Sequence, residues 1–115
     1  MAQPVESGDT APGIPDLWWC TNGISGWVEV KKLKEIPARP STSLFKSLNH
    51  GLSIEQVVWI ADCLHHGGKA CILVGHERKY YLVPGSYCRQ FNDFTYDRLK
   101  EFEVDKQDIP HLLPR

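Results

Sequence analysis

The sequence predicts an α/β fold in which helices flank a mixed β-sheet, and three observations support this class. The dipeptide Asn22-Gly23 lies between two runs of aromatic and β-branched residues, which is a strong hairpin signal. Residues 53–64 carry a helix-start motif followed by apolar residues at helical spacing. Two further apolar runs, between residues 69 and 84, follow the helix and predict a second hairpin.

Length and composition fit a single globular domain over residues 1–115. The chain is 42% hydrophobic and 23% charged, which argues against a disordered or low-complexity protein. No apolar run approaches the roughly 18 residues of a membrane span. The N-terminus also lacks the basic start and apolar stretch of a secretory signal. We therefore expect a cytoplasmic protein that does not bind a membrane.

Charge and cysteine content exclude two further classes. The net charge is −1, from 13 Lys+Arg against 14 Asp+Glu, which argues against bulk polyelectrolyte binding but leaves room for a local basic patch. The cysteines Cys20, Cys63, Cys71 and Cys88 are scattered and form no C-x-x-C pair. Neither a disulfide framework nor a zinc ribbon is therefore expected.

The first half of the chain divides into an irregular start, a hairpin and a long loop. Residues 1–15 are rich in Pro, Gly and Ser and are expected to be irregular. The hairpin strands are predicted at about 16–21 and 24–33. Residues 34–51 contain two prolines and several turn formers, which indicate a loop. This loop exceeds the common connection length, which suggests a functional role.

The second half begins with a helix. Ser53 and Gln56 have the S-x-x-Q form of a capping box, and Gly67 is available to end the helix. Strands are predicted at Lys69–His76 and Lys79–Pro84. Residues 86–102 are expected to form one or two short helices, and residues 103–115 a loose tail. The predicted order is ββαββα.

The geometry of the first hairpin places three charged residues together. A two-residue loop pairs positions whose numbers sum to 45, so Trp18 opposes Trp27 and Asp16 opposes Glu29. Because side chains alternate along a strand, Glu29 and Lys31 share the face that carries Asp16.

Carboxylates placed directly opposite one another, about 5 Å apart, destabilise a strand pair unless a cation lies between them. Two carboxylates, a backbone carbonyl and waters suit Mg²⁺. The Lys31 ammonium would point at the same region and could orient a nucleophilic water or offset charge on a phosphate. These are the parts needed for metal-assisted phosphodiester hydrolysis.

Two alternatives would not place these charged residues in a metal-binding cluster. Hairpins often carry charged residues on a solvated face, so the three charges could be ordinary surface groups. A bulge at Gly26 would shift the register by one residue and move Asp16 to the other face of the sheet.

The pair Pro15-Asp16, followed on the next strand by Glu29-Val30-Lys31, resembles the PD-(D/E)XK signature of restriction-endonuclease-like nucleases. Gln56 lies at the start of the next helix, where many members of this superfamily carry a fourth active-site Gln or Lys. Its alternative role is the capping box itself. Glu6 lies in a segment similar to the region that holds an extra acidic ligand in small phage members, and Asp9 is an alternative to it.

The resemblance extends from Glu6 to about Pro84 and is to nucleases of the VRR-NUC and Holliday-junction-resolvase types from phages and bacteria. It implies a restriction-endonuclease-like core and Mg²⁺- or Mn²⁺-dependent cleavage of DNA, in a bacterium or a phage-infected cell. It also implies a homodimer, because junction resolution needs two symmetric cuts. These folds normally begin with a long helix carrying the first acid, whereas only about fifteen Pro/Gly-rich residues precede Asp16 here.

The resemblance also assigns roles to individual residues. Asp16 and Glu29 would bind the metal, with the Val30 carbonyl as a third ligand and Glu6 as a further one. Lys31 would position the attacking water and stabilise the charge of the transition state. Gln56 would hold the lysine or the water.

A local basic patch lies beside this cluster. Residues 31–46 contain five basic residues and one acid, a balance of +4 (5 − 1). Phosphate contacts dominate nucleic-acid affinity, so a nearly neutral protein that binds DNA needs such a patch. The alternative is a solvated loop. The predicted DNA-binding residues are Lys32, Lys34, Arg39, Ser43 and Lys46.

The sequence thus predicts a metal-dependent endonuclease that cuts branched or Holliday-junction DNA as a dimer. The alternative function is a non-catalytic DNA-binding or dimerisation module that keeps the nuclease fold. A ribonuclease is a third reading, because nothing in the sequence identifies a contact that senses the 2′-hydroxyl.

Overall fold

The first predicted hairpin is present, with its last strand pair at Thr21↔Ile24, and the sheet extends from both of its strands. The computed structural model describes residues 2–4, 13–21, 23–45 and 51–113. The strands are β1 (Ala2–Pro4), β2 (Leu17–Thr21), β3 (Ile24–Lys32), β4 (Ala70–His76), β5 (Lys79–Pro84) and β6 (Glu103–Val104). Helix α1 spans Ile54–His65, α2 spans Tyr96–Lys100 and α3 spans Ile109–Leu112, and 3₁₀ turns span Gly85–Tyr87, Phe91–Asp93 and Lys106–Asp108.

The sheet is mixed, as predicted. Its strands lie in the order β1-β2-β3-β4-β5-β6, and neighbours are antiparallel except for β3 and β4, which run parallel. A parallel pair cannot be closed by a tight turn and needs a long crossover. Helix α1 lies in that crossover, between the two hairpins. Within the described ranges, no helix is long and apolar enough to cross a bilayer.

The register of the first hairpin is the predicted one. The pairs run without interruption from Leu17↔Val28 to Thr21↔Ile24, so every pair sums to 45. Gly26 pairs within this ladder, and the bulge that would have moved Asp16 to the other face does not occur. Glu29 and Lys31 therefore lie on one face of β3.

Helix α1 begins and ends where its sequence signals predict. Ser53 caps it: the side chain accepts a hydrogen bond from the Gln56 amide, and the Gln56 side chain bonds back to the Ser53 amide. This capping box satisfies two amide groups that a helix start would otherwise leave unpaired. The helix ends at His65, and Gly67 follows with φ +84°, a left-handed conformation that glycine adopts without a Cβ clash.

Apolar layers cover both faces of the sheet. The larger layer packs helix α1 and the 85–102 segment against one face, and we call this face the site face because Glu29 and Lys31 belong to it. Buried members of the larger layer include Ile60, Ile72, Val74, Tyr81, Val83 and Phe91. The smaller layer lies on the opposite face and contains Trp19, Val28, Cys71 and Leu82, with Leu112 and Leu113 against them.

Two segments differ from the prediction. Ala2–Pro4, inside the segment expected to be irregular, forms β1 by pairing with β2. Glu103–Val104, inside the expected loose tail, forms β6 by pairing with β5, and helix α3 follows it. Strands of two or three residues carry no readable alternation, and the open edges of β2 and β5 decide their pairing.

The packing of α1 against the sheet predicts that alanine substitutions at two nearby apolar residues of the helix lower the free energy of unfolding by very different amounts. Ile60 is 0% exposed and Val58 is 58% exposed. We expect Ile60→Ala to lower the free energy of unfolding by about 3 kcal/mol, because it leaves a cavity in the core. Val58→Ala should change it by less than about 0.5 kcal/mol. Chemical denaturation of both variants measures the difference, and equal effects would contradict the packing described here.

Candidate active site

Four predicted site residues come from three separate elements and meet on the site face. Asp16 immediately precedes β2, Glu29 and Lys31 alternate along β3, and Gln56 lies in the first turn of α1. The parallel crossover carries α1 over this face of the sheet, which brings Gln56 to β3 although 25 residues separate it from Lys31. The meeting of Gln56 with the hairpin residues is therefore a product of the fold.

Glu29, Lys31 and Gln56 form a closed triangle of polar contacts. The Lys31 Nζ lies 3.4 Å from Glu29 Oε2, and the Gln56 Nε2 donates to the same oxygen at 2.8 Å. Lys31 Nζ also donates to Gln56 Oε1 at 3.2 Å. Each side chain is thus held by the other two, and the ammonium has a fixed position beside the carboxylate.

Gln56 combines its two predicted roles. Its Oε1 accepts both from the Ser53 amide at 2.9 Å and from Lys31 Nζ at 3.2 Å. Its Nε2 donates to Glu29. The capping box and the side-chain cluster are therefore not alternatives, because one carboxamide belongs to both.

Asp16 reaches the site differently from the prediction. The strand ladder stops at Leu17↔Val28, so Asp16 does not form a backbone pair with Glu29. Instead the Val30 amide donates to Asp16 Oδ2 at 3.0 Å, and Asp16 is exposed. The buried Pro15 precedes it, and proline has no amide proton to donate to a ladder. The aspartate therefore caps the edge of β3 at the residue next to Glu29.

The Glu29 carboxylate is short of positive partners. Glu29 is 2% exposed, and within the described residues its Oε1 is buried with no hydrogen-bond partner. Burial, the largest cause, and the Asp16 charge together raise the pKa of Glu29 to about 7, although Lys31 opposes both effects. Because the Asp16 charge acts on Glu29 in this way, the two carboxyl groups are neighbours. Such an oxygen requires either a proton or a cation.

The donor set fits a divalent cation. Two neighbouring carboxylates, one with a buried oxygen that has no partner in the described part of the chain, offer the hard oxygen ligands that Mg²⁺ prefers. Within residues 2–4, 13–21, 23–45 and 51–113, no group of three His, Cys, Asp or Glu side chains forms a metal site. The predicted ligand Glu6 and its alternative Asp9 lie outside the described residues. The roles of Asp16, Glu29 and the Val30 carbonyl as ligands remain predictions.

The predicted DNA-binding residues occupy two places. Lys32 alternates with Lys31 and lies on the opposite face, where it lines a cavity of about 510 Å³ with Lys34. Arg39 is exposed in the loop that follows, and Ser43 is half-buried there. Lys46 lies outside the described residues. The basic residues therefore surround the end of β3, and their contact with DNA is still a prediction.

Asn92 is a polar residue at this site that sequence reasoning missed. It lines a cavity of about 490 Å³ together with Lys31, Ser53 and Gln56. Its segment was predicted as a short helix, and indeed Phe91–Asp93 is a 3₁₀ turn. A single Asn between aromatic residues gives no signal of such a contact, because the fold alone brings residue 92 to the start of α1.

The raised pKa of Glu29 predicts an unusual dependence of stability on pH in metal-free buffer. Between pH 4.5 and about 7 the unfolded chain loses the Glu29 proton while the folded protein keeps it. The free energy of unfolding should therefore fall as pH rises through this window, by roughly 2 kcal/mol from this group. Glu29→Gln should remove that fall. Denaturation with a chelator at several pH values measures it, and parallel pH profiles for both proteins would contradict the assignment.

Comparison with solved structures finds this architecture in Hjc, a Holliday junction resolvase from the archaeal hyperthermophile Archaeoglobus fulgidus. The TM-score is 0.62 with 15% sequence identity, over 96% of this chain and 85% of that chain. No protein-family model matches the chain, and no curated protein matches it significantly. At this identity the likeness shows the fold. The fold is the predicted α/β restriction-endonuclease-like core, a mixed sheet with flanking helices.

Proposed function

We propose that this protein is a metal-dependent endonuclease that hydrolyses phosphodiester bonds in branched DNA, including Holliday junctions. The observation that carries the proposal is the Glu29 carboxylate beside Asp16, whose buried Oε1 has no hydrogen-bond partner among the described residues. On the other side of the same carboxylate, Lys31 Nζ lies 3.4 Å from Oε2. A place for a cation next to a fixed ammonium is what phosphodiester hydrolysis requires.

Asp16, Glu29 and the Val30 carbonyl would hold Mg²⁺ or Mn²⁺, with Glu6 as a further ligand. When bound, the ion would polarise a phosphate oxygen and lower the pKa of a water. Asp16 has one oxygen, Oδ2, on the Val30 amide, and this bond fixes the orientation of its carboxylate. The protein therefore holds its two acids in place before any ligand arrives.

Lys31 stabilises the charge that develops during the reaction. As water oxygen bonds to phosphorus, negative charge grows on the phosphate oxygens, and an ammonium held nearby lowers the energy of that state. The bond between phosphorus and one ester oxygen then breaks; the leaving oxygen takes up a proton and the attacking water releases one. The side chain of Lys31 is only 16% exposed, so solvent screens its charge weakly.

Two observations support DNA as the substrate. One solved structure with this fold is that of a Holliday junction resolvase. Exposed basic residues surround the end of β3, with Lys32 and Lys34 at the cavity on the opposite face and Arg39 in the loop that follows. They could contact phosphates of a DNA strand that passes this end of the sheet. A junction carries two symmetric strands to be cut, which favours a homodimer as the active species.

Cleavage of a labelled four-way junction in Mg²⁺ or Mn²⁺ tests the proposal. We expect Asp16→Asn and Lys31→Ala to reduce cleavage at least about a thousandfold, because each removes a charge from the reacting centre. Asp16→Asn keeps an oxygen for the Val30 amide, so the fold should survive. Asp105→Asn and Lys106→Ala, both at exposed positions, are the matched controls and should cut normally. Undiminished cutting by either site variant would refute the assignment.

The same cleavage assay distinguishes the proposed endonuclease from a non-catalytic DNA-binding module. Binding of the junction without cutting, in every divalent ion tried, would favour a non-catalytic DNA-binding module. Cutting of a matched RNA junction at an equal rate would show that the site does not select the sugar.

Cation binding gives a prediction that is independent of catalysis. At pH 8, Mg²⁺ at ten times its dissociation constant should raise the thermal midpoint by about 5 °C, because the ion binds only the folded state. Asp16→Asn should abolish this rise, and Asp105→Asn should keep it. A rise of equal size in all three proteins would place the ion elsewhere.

A further inference from the structure

Asn92 holds the backbone just before helix α1 with both ends of its carboxamide. Its Oδ1 accepts from the Leu52 amide at 2.7 Å, and its Nδ2 donates to the Leu52 carbonyl at 2.9 Å. A side chain that pairs with both polar groups of one residue fixes the position and the direction of that residue. The contact is also close: a Cβ placed on Gly51 would clash with Asn92 Oδ1.

Leu52, the residue held in this way, is linked to the candidate active site through its neighbour Ser53. Leu52 leads directly into Ser53, whose amide donates to Gln56 Oε1 at 2.9 Å. The same Oε1 accepts from Lys31, and Gln56 Nε2 donates to Glu29. A continuous series of contacts therefore runs from Asn92 through the Leu52–Ser53 backbone to the carboxamide that binds both charged residues.

The other end of this series is rigid. Asn92 lies in the 3₁₀ turn Phe91–Asp93, and Phe91 is 0% exposed. The Phe91 ring stacks on Phe45 with centroids 4.2 Å apart. Because the turn is fixed in the core, its asparagine can act as a fixed support for a neighbouring segment.

The segment that Asn92 supports borders open space. A cavity of about 490 Å³ is lined by Gly51, Leu52, Ser53 and Gln56 as well as by Lys31 and Asn92. Packing therefore leaves one side of the 51–53 backbone open, and the two hydrogen bonds from Asn92 hold it in register. A displacement of about 1 Å in a positioning group can cost a hundredfold in rate.

We propose that Asn92 is a positioning residue for the active site, which acts through the Leu52–Ser53 backbone to hold the Gln56 carboxamide on Lys31 and Glu29. The catalytic part of this proposal rests on the proposed nuclease function, while the structural part does not. Asn92 itself touches neither Lys31 nor Glu29 through any hydrogen bond described here, so its effect on the reaction is indirect.

Hydrogen exchange measured by NMR tests the structural part without any substrate. In Asn92→Ala, the Ser53 amide and the Gln56 side-chain amide protons should exchange about tenfold faster. Backbone amides of Val74 and Leu82, in the centre of the sheet, should change less than about twofold. Gln90, two residues before Asn92, is exposed and supplies the control Gln90→Ala, which should leave all of these rates unchanged. Unchanged exchange at Gln56 in Asn92→Ala, or an equal increase at every amide, would overturn the proposal.

A double-mutant cycle on junction cleavage tests the catalytic part. Asn92→Ala should lower kcat about tenfold with little change in KM, because substrate contacts are retained. In a Gln56→Ala background the same substitution should lower kcat less than about twofold, because its route to the site has already been removed. Equal tenfold losses in both backgrounds would indicate a general loss of folded protein and would overturn the proposal.

A conservative variant covers the case in which Asn92→Ala does not fold. Asn92→Asp keeps the acceptor for the Leu52 amide and loses the donor to the Leu52 carbonyl. Its exchange rates and kcat should therefore lie between those of wild type and Asn92→Ala. If Asn92→Ala is unfolded, the values for Asn92→Asp should lie between those of wild type and Gln56→Ala. Wild-type values in Asn92→Asp would overturn the proposal. If wild-type protein cuts no junction in any divalent ion, the nuclease function fails, and the exchange measurement still decides the structural part.

Discussion

The site depends on one buried carboxylate. Glu29 lies on a central strand at 2% exposure, with Lys31 and Gln56 on one oxygen and no described partner on the other. A carboxylate in this position is costly to bury unless its charge is balanced. Lys31 balances part of that charge, but Asp16 adds to it. The negative charge at this point of the sheet is therefore only partly balanced by Lys31.

Two features of the fold create this crowding. The two-residue loop between β2 and β3 sets a register in which Asp16 arrives beside the strand that carries Glu29. The parallel β3–β4 pair requires a crossover, and that crossover places the first turn of α1 on the same face. Neither feature alone would assemble the cluster. The charged side chains of the hairpin and the carboxamide of the helix meet because both constraints act on β3.

The sequence predicted most of this geometry because the decisive signals are local. Asn22-Gly23 fixed a register, and alternation along β3 then put Glu29 and Lys31 on one side. The Ser53–Gln56 motif marked the helix start to the residue. The resemblance to a nuclease signature suggested chemical roles for these residues. The likeness to a solved resolvase supports the fold that the resemblance implied.

What the sequence did not predict depends on contacts between distant segments. Strands β1 and β6 are too short to have a pattern, and only the edges of β2 and β5 determine them. Asp16 was expected in a ladder pair, but the strand begins one residue later and the side chain bonds to the Val30 amide instead. Asn92 has no local signal at all, because its partner is 40 residues away.

The double use of Gln56 has a consequence for how the helix terminus behaves. Helix ends ordinarily fray, because the terminal turns of a helix unfold locally at a low free-energy cost. Here, opening that turn would release the Ser53 amide from the same oxygen that holds Lys31. Formation of the Glu29–Lys31–Gln56 cluster is therefore coupled to closure of the helix end, so melting of the first turn would also release the hydrogen bonds of Gln56 to Lys31 and Glu29.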